Sequence, residues 1–308
     1  MAHGHGHHHH RHRHLDPNSG DFRVVAAILA NLGLTVAQVV GGLLSGSLAL
    51  IADALHNFSD AMSLVIAFGA RRVARRRTDA SMTFGYGRAE VVAALVNLSV
   101  LIVLGLFLLY EAGARALAPQ PVEGWTVVWV AAVALAVDVA TALLTYRMSK
   151  TSVNIRAAFL HNVADALGSI AVIVAGVAIL LYDWRLIDPL VTAAIAVYIL
   201  WMSYGELGGV IRILMLGSPP DLDAHAVVDA ARSVAGVADV HHVHLWQVGE
   251  HENAFDAHLA LDDGAWPQAD RIKAEVKALL KQSFGIAHAT LEVECAAHAC
   301  VGAPVLGR

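Results

Sequence analysis

Two six-residue strings hold the most specific chemistry in this sequence. His56-Asn57-Phe58-Ser59-Asp60-Ala61 is answered, 105 residues later, by His161-Asn162-Val163-Ala164-Asp165-Ala166. Both strings lie inside long apolar runs, where ionisable side chains are expensive and mark a pathway or a site. A four-residue step returns to the same face of a helix, so each run offers one imidazole and one carboxylate stacked a turn apart. Two such faces supply two nitrogens and two oxygens, enough to surround a divalent ion tetrahedrally, as zinc prefers. The same donors suit cobalt, nickel or copper. The bland alternative has each His bonded to its own Asp and merely knitting helices together; repetition of the whole string at two runs argues against it. Asp53, one turn before His56, has three open roles: ligand, partner to a ligand, or acidic end of a short outer loop. Asp138, also in an apolar run, is expected to make an interhelical hydrogen bond.

Ligand atoms of this kind bind metal only when imidazole is neutral and carboxylate ionised, so protons compete for the same positions. A site built from His56, Asp60, His161 and Asp165 therefore exchanges metal for protons by its own chemistry, with His the member that changes charge near neutral pH.

Histidine is abundant outside these runs as well. Eight of the first fourteen residues are His (His3, His5, His7, His8, His9, His10, His12 and His14). Such a tract cannot build a core and should bind metal weakly and exchange it quickly. Its Gly and Arg interruptions favour a native tract over a purification tag. At the other end Cys295, His298 and Cys300 form a Cys-x-x-His-x-Cys cluster suited to zinc with a fourth ligand from elsewhere, or simply a loose terminus.

The elements that must position these groups follow from composition. Of 308 residues, 57% are hydrophobic and 15% charged, too apolar for an ordinary soluble enzyme. Apolar spans fall at 24–44, 47–69, 91–110, 126–146, 157–181 and 189–215, each near the length of a bilayer-crossing helix. Arg71, Arg72, Arg75, Arg76, Arg77 and Arg88 follow span two, and Arg147, Lys150 and Arg156 follow span four, whereas the opposite loops hold little beyond Arg115 and Arg185. Positive charge is retained in short cytoplasmic loops, so these connections and both termini are expected inside. No apolar core precedes the first span, and no cleavable leader is expected. The net charge of −5 and the lack of a basic reader motif exclude nucleic acid as a partner. Two cysteines, both near the C-terminus, are no disulfide framework.

After Gly217-Ser218-Pro219-Pro220 the pattern becomes that of a small soluble domain. Helical spacing over Leu222–Val234 and Ile272–Leu280 flanks strands at 237–248 and 254–261, with a last strand at 287–294. This α-β-β-α-β order suggests an open-faced, ferredoxin-like sandwich. The expected organisation is a His-rich N-terminus (1–20), a six-helix transmembrane domain (21–216), a cytoplasmic α/β domain (217–295) for metal binding and dimerisation, and a tail (296–308).

Several motifs in order resemble the cation diffusion facilitators, in their zinc-transporting branch. They are the two His-Asp strings, Ser47-Leu48-Ala49-Leu50-Ile51-Ala52-Asp53, Phe84-Gly85-Tyr86-Gly87-Arg88-Ala89-Glu90, Asp188-Pro189, and His241-His242-Val243-His244-Leu245-Trp246. The likeness runs from the first span to about Glu294. It implies an obligate homodimer, a six-helix membrane domain, a metallochaperone-like cytoplasmic fold, and export of Zn2+ in exchange for protons across a bacterial-type inner membrane. It also implies a cytoplasmic metal site at the dimer interface, for which His241, His258, Asp270 and Glu294 are the candidates. His242 and His244 leave the register open, because a one-residue slip changes which imidazoles face the site. A further loop site of some members, one Asp and two His, has Asp79 for the first but Met82 and Tyr86 in place of the imidazoles, so it is not expected. Tyr86, Arg88 and Glu90 are expected to be structural, through ion pairing.

The sequence thus predicts a secondary transporter and not an enzyme. It has no His-Glu-x-x-His string for hydrolysis and no Gly-x-x-x-x-Gly-Lys loop for an ATP-driven pump. Zn2+ is the expected ion, transported and regulatory, with cadmium or cobalt as alternatives; a membrane-bound metal sensor or buffer is the alternative function.

Overall fold

The computed structural model describes residues 32–149, 153–249, 252–295, 298–300 and 302–307. The N-terminal histidines lie outside the described residues, as do the side chains of Arg147, Lys150, Arg156 and His161.

Among the described residues six helices precede the small domain: α1 (Leu32–Ser45), α2 (Leu48–Ala74), α3 (Ala89–Leu117), α4 (Gly124–Ser149), α5 (Val153–Tyr182) and α6 (Ile187–Leu214). Four of them, α3 to α6, are long and apolar enough to cross a membrane. Helix α1 is described over only part of its expected span. Helix α2 falls short because it carries Asp53, His56, Asn57, Ser59 and Asp60, all buried or half-buried, and ends on Arg71 and Arg72. Leu106, Phe107, Trp129, Val133, Leu143, Val174 and Leu181 stand exposed on α3, α4 and α5, which is the surface a bilayer would solvate.

The chain divides into two compact units, 1–65 with 104–198 and 66–103 with 199–308. In the first, α2 buries two small-residue faces. Leu48 and Ala52 pack with Leu108 and Ala112 of α3 and Ala196 of α6. Ala49 and Leu50 pack with Val127 and Ala131 of α4 and Val172 of α5. Alanine along α2 lets neighbouring backbones come close, which is how helices associate where lipid offers no hydrophobic drive.

Helices α4 and α5 form an antiparallel hairpin. Gly124 meets Gly176 at one end, Ser169 Oγ donates to Asp138 Oδ2 at 3.0 Å near the middle, and the Tyr146 and Phe159 rings meet 5.6 Å apart at the other. The Ser169 bond is the interhelical contact expected of Asp138.

The second unit contains α7 (Ala224–Arg232), β1 (Val237–Gly249), β2 (Glu252–Leu261), α8 (Ala269–Phe284) and β3 (His288–Cys295). The order is the α-β-β-α-β expected. Strand β2 is central, antiparallel to β1 and parallel to β3. Its alternate residues Phe255, Ala257 and Leu259 are buried with Val227, Val228 and Ala231 of α7 and Ile272, Val276 and Leu280 of α8. Asp256 and His258 therefore point to the opposite, open face. Asp223 caps α7 by accepting from His225 N at 2.9 Å, and Gly285 ends α8 at φ 67°.

The tail is not loose where it is described. Residues 304–307 run beside β1: His242 N donates to Pro304 O, Val243 N to Val305 O, and Gly307 N to Val243 O.

A Cβ on Gly176 would lie 2.8 Å from Val128 Cγ2 and 3.1 Å from Val127 Cγ1. Gly176→Leu should therefore destabilise the hairpin by ~1–3 kcal/mol or more, read as a lower unfolding midpoint in detergent micelles; an unchanged midpoint would contradict the close approach.

Candidate metal centres

Helices α2 and α5 bring the two repeated strings together. His56 Nε2 lies 3.3 Å from Asp165 Oδ1 and 3.7 Å from Asp60 Oδ2. One ligand atom from each of His56, Asp60 and Asp165 falls within 4.8 Å of the others. A tetrahedron with bonds of about 2.1 Å has edges of about 3.4 Å, so the two separations already approximate those of shared coordination. His161 stands on α5 one turn before Asp165, and its side chain lies outside the described ones. His56 is 5% exposed, and the edge of the Tyr198 ring packs against it at a centroid distance of 6.1 Å. Two carboxylates with one imidazole, largely withdrawn from water, make a strongly cation-attracting locus.

A second layer of polar groups holds α2 in place. Gln38 of α1, fully buried, donates from Nε2 to Asp53 Oδ2 at 2.6 Å and accepts from Asn57 Nδ2 at 3.0 Å. Asp53 is thereby a partner of Gln38 within α2. At the start of α2, Asp188 of α6 accepts from Ser47 Oγ at 2.5 Å, Leu48 N at 2.9 Å and Ala49 N at 3.3 Å. These amides lack intrahelical partners, and a carboxylate also complements the positive helix end. The link before them is tied down by Arg115 Nη1 donating to Gly46 O at 2.6 Å. The Asp-Pro dipeptide signals a helix start in the sequence, but nothing there tells that Asp188 caps a different helix.

In the small domain His241, His258, Glu294 and Cys300 each offer a ligand atom within 4.8 Å of the others. His241 pairs with His258 across β1 and β2, and Glu294 stands on the adjacent β3. His258 Nδ1 donates to Glu294 Oε1 at 2.5 Å, and His241 Nε2 lies 3.3 Å from Glu294 Oε2. His241 is 1% exposed, and among the described residues neither of its ring nitrogens has a partner in hydrogen-bond geometry. A buried imidazole so placed is costly unless something else binds it. Burial pushes the Glu294 carboxyl up, but its bonds from His258 and from Cys300 N outweigh this and hold it below the ordinary range. Burial, then the Glu294 charge, pushes the Cys300 thiol up, so the thiolate needed for coordination would come with the metal.

The three tail residues of the Cys-x-x-His-x-Cys string part company. Cys300 joins His241, His258 and Glu294, whereas Cys295 Sγ lies 3.0 Å from His298 Nδ1. Asp270 is not brought to this cluster; it is exposed in the first turn of α8, 2.8 Å from Lys273 Nζ. Outside both centres, Asp79 accepts from Ser81, Met82 and Tyr86, bonds that keep its carboxyl far below the ordinary range. Arg88 Nε donates to Val248 O at 3.0 Å, and Arg71 Nε stands 3.9 Å from Glu90 Oε1.

Residues 24–215 match the cation efflux transmembrane domain, and residues 219–296 match the cytoplasmic domain of cation efflux proteins. The chain belongs to the cation efflux, or cation diffusion facilitator, family. As such it is a multi-pass membrane protein. Zinc transporter ZitB of Pectobacterium atrosepticum is 37% identical over 88% of this chain and 85% of its own length. A cadmium, cobalt and zinc/H(+)-K(+) antiporter of Bacillus subtilis is 32% identical over 86% of each chain. The metal-bound C-terminal domain of the CzcD transporter from Cupriavidus metallidurans is 25% identical, with a TM-score of 0.22, over 24% of this chain and 99% of that one.

Asp188→Ala should leave the Ser47 hydroxyl and two helix-end amides unsatisfied, costing about 1–3 kcal/mol. Faster hydrogen exchange at the Leu48 and Ala49 amides is the expected reading, with Asp188→Asn intermediate; exchange equal to that of the unaltered protein would contradict the cap.

Proposed function

We propose that this cation efflux protein exports Zn2+ from the cytoplasm in exchange for protons, by alternating access around a four-ligand site of His56, Asp60, His161 and Asp165. The observation that carries this reading is the approach of His56, Asp60 and Asp165 from two different helices to ligand distance in a largely dehydrated setting. Similarity to zinc transporter ZitB and to a cadmium, cobalt and zinc antiporter supports zinc as the principal cargo, with cadmium or cobalt as further cargo. Imidazole with carboxylate is the donor set such borderline cations share.

The cycle follows from the ligands. Facing the cytoplasm, neutral imidazoles and ionised carboxylates take the metal and release protons. Rearrangement of the bundle of six spans then presents the loaded site to the outer solution, where protons displace the metal. Protons are thus the counter-ions, and metal affinity falls as pH falls. The protein works as a homodimer in a bacterial inner membrane with both termini in the cytoplasm. Its small domain binds regulatory Zn2+ through His241, His258 and Glu294, with Cys300. Asp270, exposed on α8, is available to a second copy of the chain. Cys295 and His298 supply a lesser thiol-imidazole pair beside them.

Zinc flux into proteoliposomes tests this. Flux should follow an imposed pH gradient and fall at least about tenfold in Asp60→Ala and in Asp165→Ala, as expected for losing a ligand worth more than about 1.4 kcal/mol. Zinc uptake unchanged in both variants would contradict the site. Gradient-independent binding without flux would point instead to a membrane metal buffer.

A further inference from the structure

The arginines that follow α2 are left without counter-charge. Between residues 71 and 90 stand six arginines and two carboxylates, Asp79 and Glu90. Both carboxylates are engaged: Asp79 accepts from Ser81, Met82 and Tyr86 within its own loop, and Glu90 lies 3.9 Å from Arg71. Arg88 is turned to the Val248 carbonyl. Arg72, Arg75, Arg76 and Arg77 are exposed, and among the described residues they have no carboxylate at ion-pair distance. We propose that this end of α2 binds the headgroup of an anionic phospholipid, with the phosphate held by Arg72, Arg75 and Arg76 and the upper acyl chain resting on Phe68.

Helical spacing gathers these groups on one side. Arg75 N donates to Arg71 O at 3.2 Å and Arg76 N to Val73 O at 3.0 Å, so the turn runs on past Ala74. At 3.6 residues per turn, Phe68, Gly69, Arg71, Arg72, Arg75 and Arg76 fall within an arc of about 160°. All six are exposed, Phe68 at 62%. Ala70, Val73 and Ala74, on the other side, are buried or half-buried. A Cβ on Gly69 would meet nothing within 4 Å, so the helix surface beside Phe68 is open. One side of α2 thus passes from an exposed ring to arginines about one turn later, in the order in which a phospholipid presents its own parts, acyl chain and then phosphate. Keeping the loop on the inner side of a membrane needs positive charge anywhere in it. It does not need that charge on one helix side, continuous with an exposed aromatic ring.

The chemistry of the side chains selects the ligand. Guanidinium groups bind phosphate oxygens through paired N–H donors, and the steps from Arg72 to Arg75 and Arg76 place neighbouring forks one turn apart, within reach of one phosphate. Unpaired positive charges favour a headgroup of net negative charge over a zwitterionic one, whose amine cancels its phosphate. The loop that follows adds apolar surface: Met82 and Phe84 are exposed, Phe84 at 66% although its ring also meets that of His288. Aromatic and apolar side chains beside basic ones suit the interfacial zone of a bilayer. The inference rests on the proposed six spans only in taking the end of α2 to lie at a membrane surface; it needs neither zinc nor protons.

The test titrates the full chain, zinc-free in detergent micelles, with phosphatidylglycerol or with phosphatidylcholine of the same acyl chains, and counts bound lipid per protomer by native mass spectrometry. Phosphatidylglycerol should bind at least tenfold more tightly than phosphatidylcholine. Arg72→Gln, Arg75→Gln and Arg76→Gln combined should remove one bound phosphatidylglycerol per protomer or raise its half-saturation at least tenfold. Lysine at the same three positions keeps the charge but loses the forks and should fall between the two. Lys277→Gln with Lys281→Gln, which takes two exposed charges from α8, should change nothing. Glycerol 3-phosphate, a phosphate without acyl chains, should not displace the lipid at equal concentration. Equal binding of the two lipids, a triple-glutamine curve that overlays the unaltered protein's, an equal loss in the α8 variant, or displacement by glycerol 3-phosphate would each overturn the proposal. Unfolding midpoints matching the unaltered protein exclude misfolding as the cause of a loss. Because zinc is absent throughout, these outcomes bear on the lipid site alone, and a failure of zinc flux bears on the proposed transport alone.

Discussion

Two aspartates and a histidine held at ligand distance in an apolar helix bundle are expensive to keep: like charges repel, and neither lipid nor dry protein solvates them. Under the proposed function a bound cation or protons offset that cost. That single constraint links the fold to the function. Under the proposed function, the charge that makes α2 a poor membrane helix by composition is what makes it useful. In the proposed exchange, metal and protons satisfy the same atoms, so occupancy by one favours departure of the other.

Much of the surrounding structure holds α2 against this cost. Gln38 bridges Asp53 and Asn57 from α1, and Asp188 caps the first turn from α6. Small side chains at Ala49 and Ala52 let α3, α4, α5 and α6 reach it. These contacts are short-range and directional, which suits a helix whose His56 stands 3.3 Å from Asp165 of a neighbouring helix. They all fall in the first half of α2, whose last nine residues, 66–74, belong to the other compact unit of the chain.

The parts legible in the sequence were those written in a local period. The His-x-x-x-Asp step fixes a helical face whatever the tertiary structure, and the repeat makes two faces; the small domain's helices and strands likewise follow from spacing. What the sequence hid depends on long-range contacts or on register. Asp188 looks like the opening of its own helix and serves another 140 residues away. Gln38 is one polar residue in an apolar run, with no local sign of its two partners. In the small domain, alternation alone left His241, His242 and His244 undecided, because a β-bulge breaks the period of two at that point. By spacing Cys300 belongs with Cys295 and His298, yet the chain path carries it to Glu294 and leaves Cys295 with His298.

The claim that the two repeated strings share one metal ion can be checked by anomalous diffraction at the zinc absorption edge. In zinc-loaded crystals the claim predicts a peak between α2 and α5 at about 2.0–2.2 Å from ligand atoms of His56, Asp60, His161 and Asp165, absent in Asp165→Ala. Zinc peaks confined to the small domain, with the space between those two helices empty in inward- and outward-facing forms alike, would contradict it.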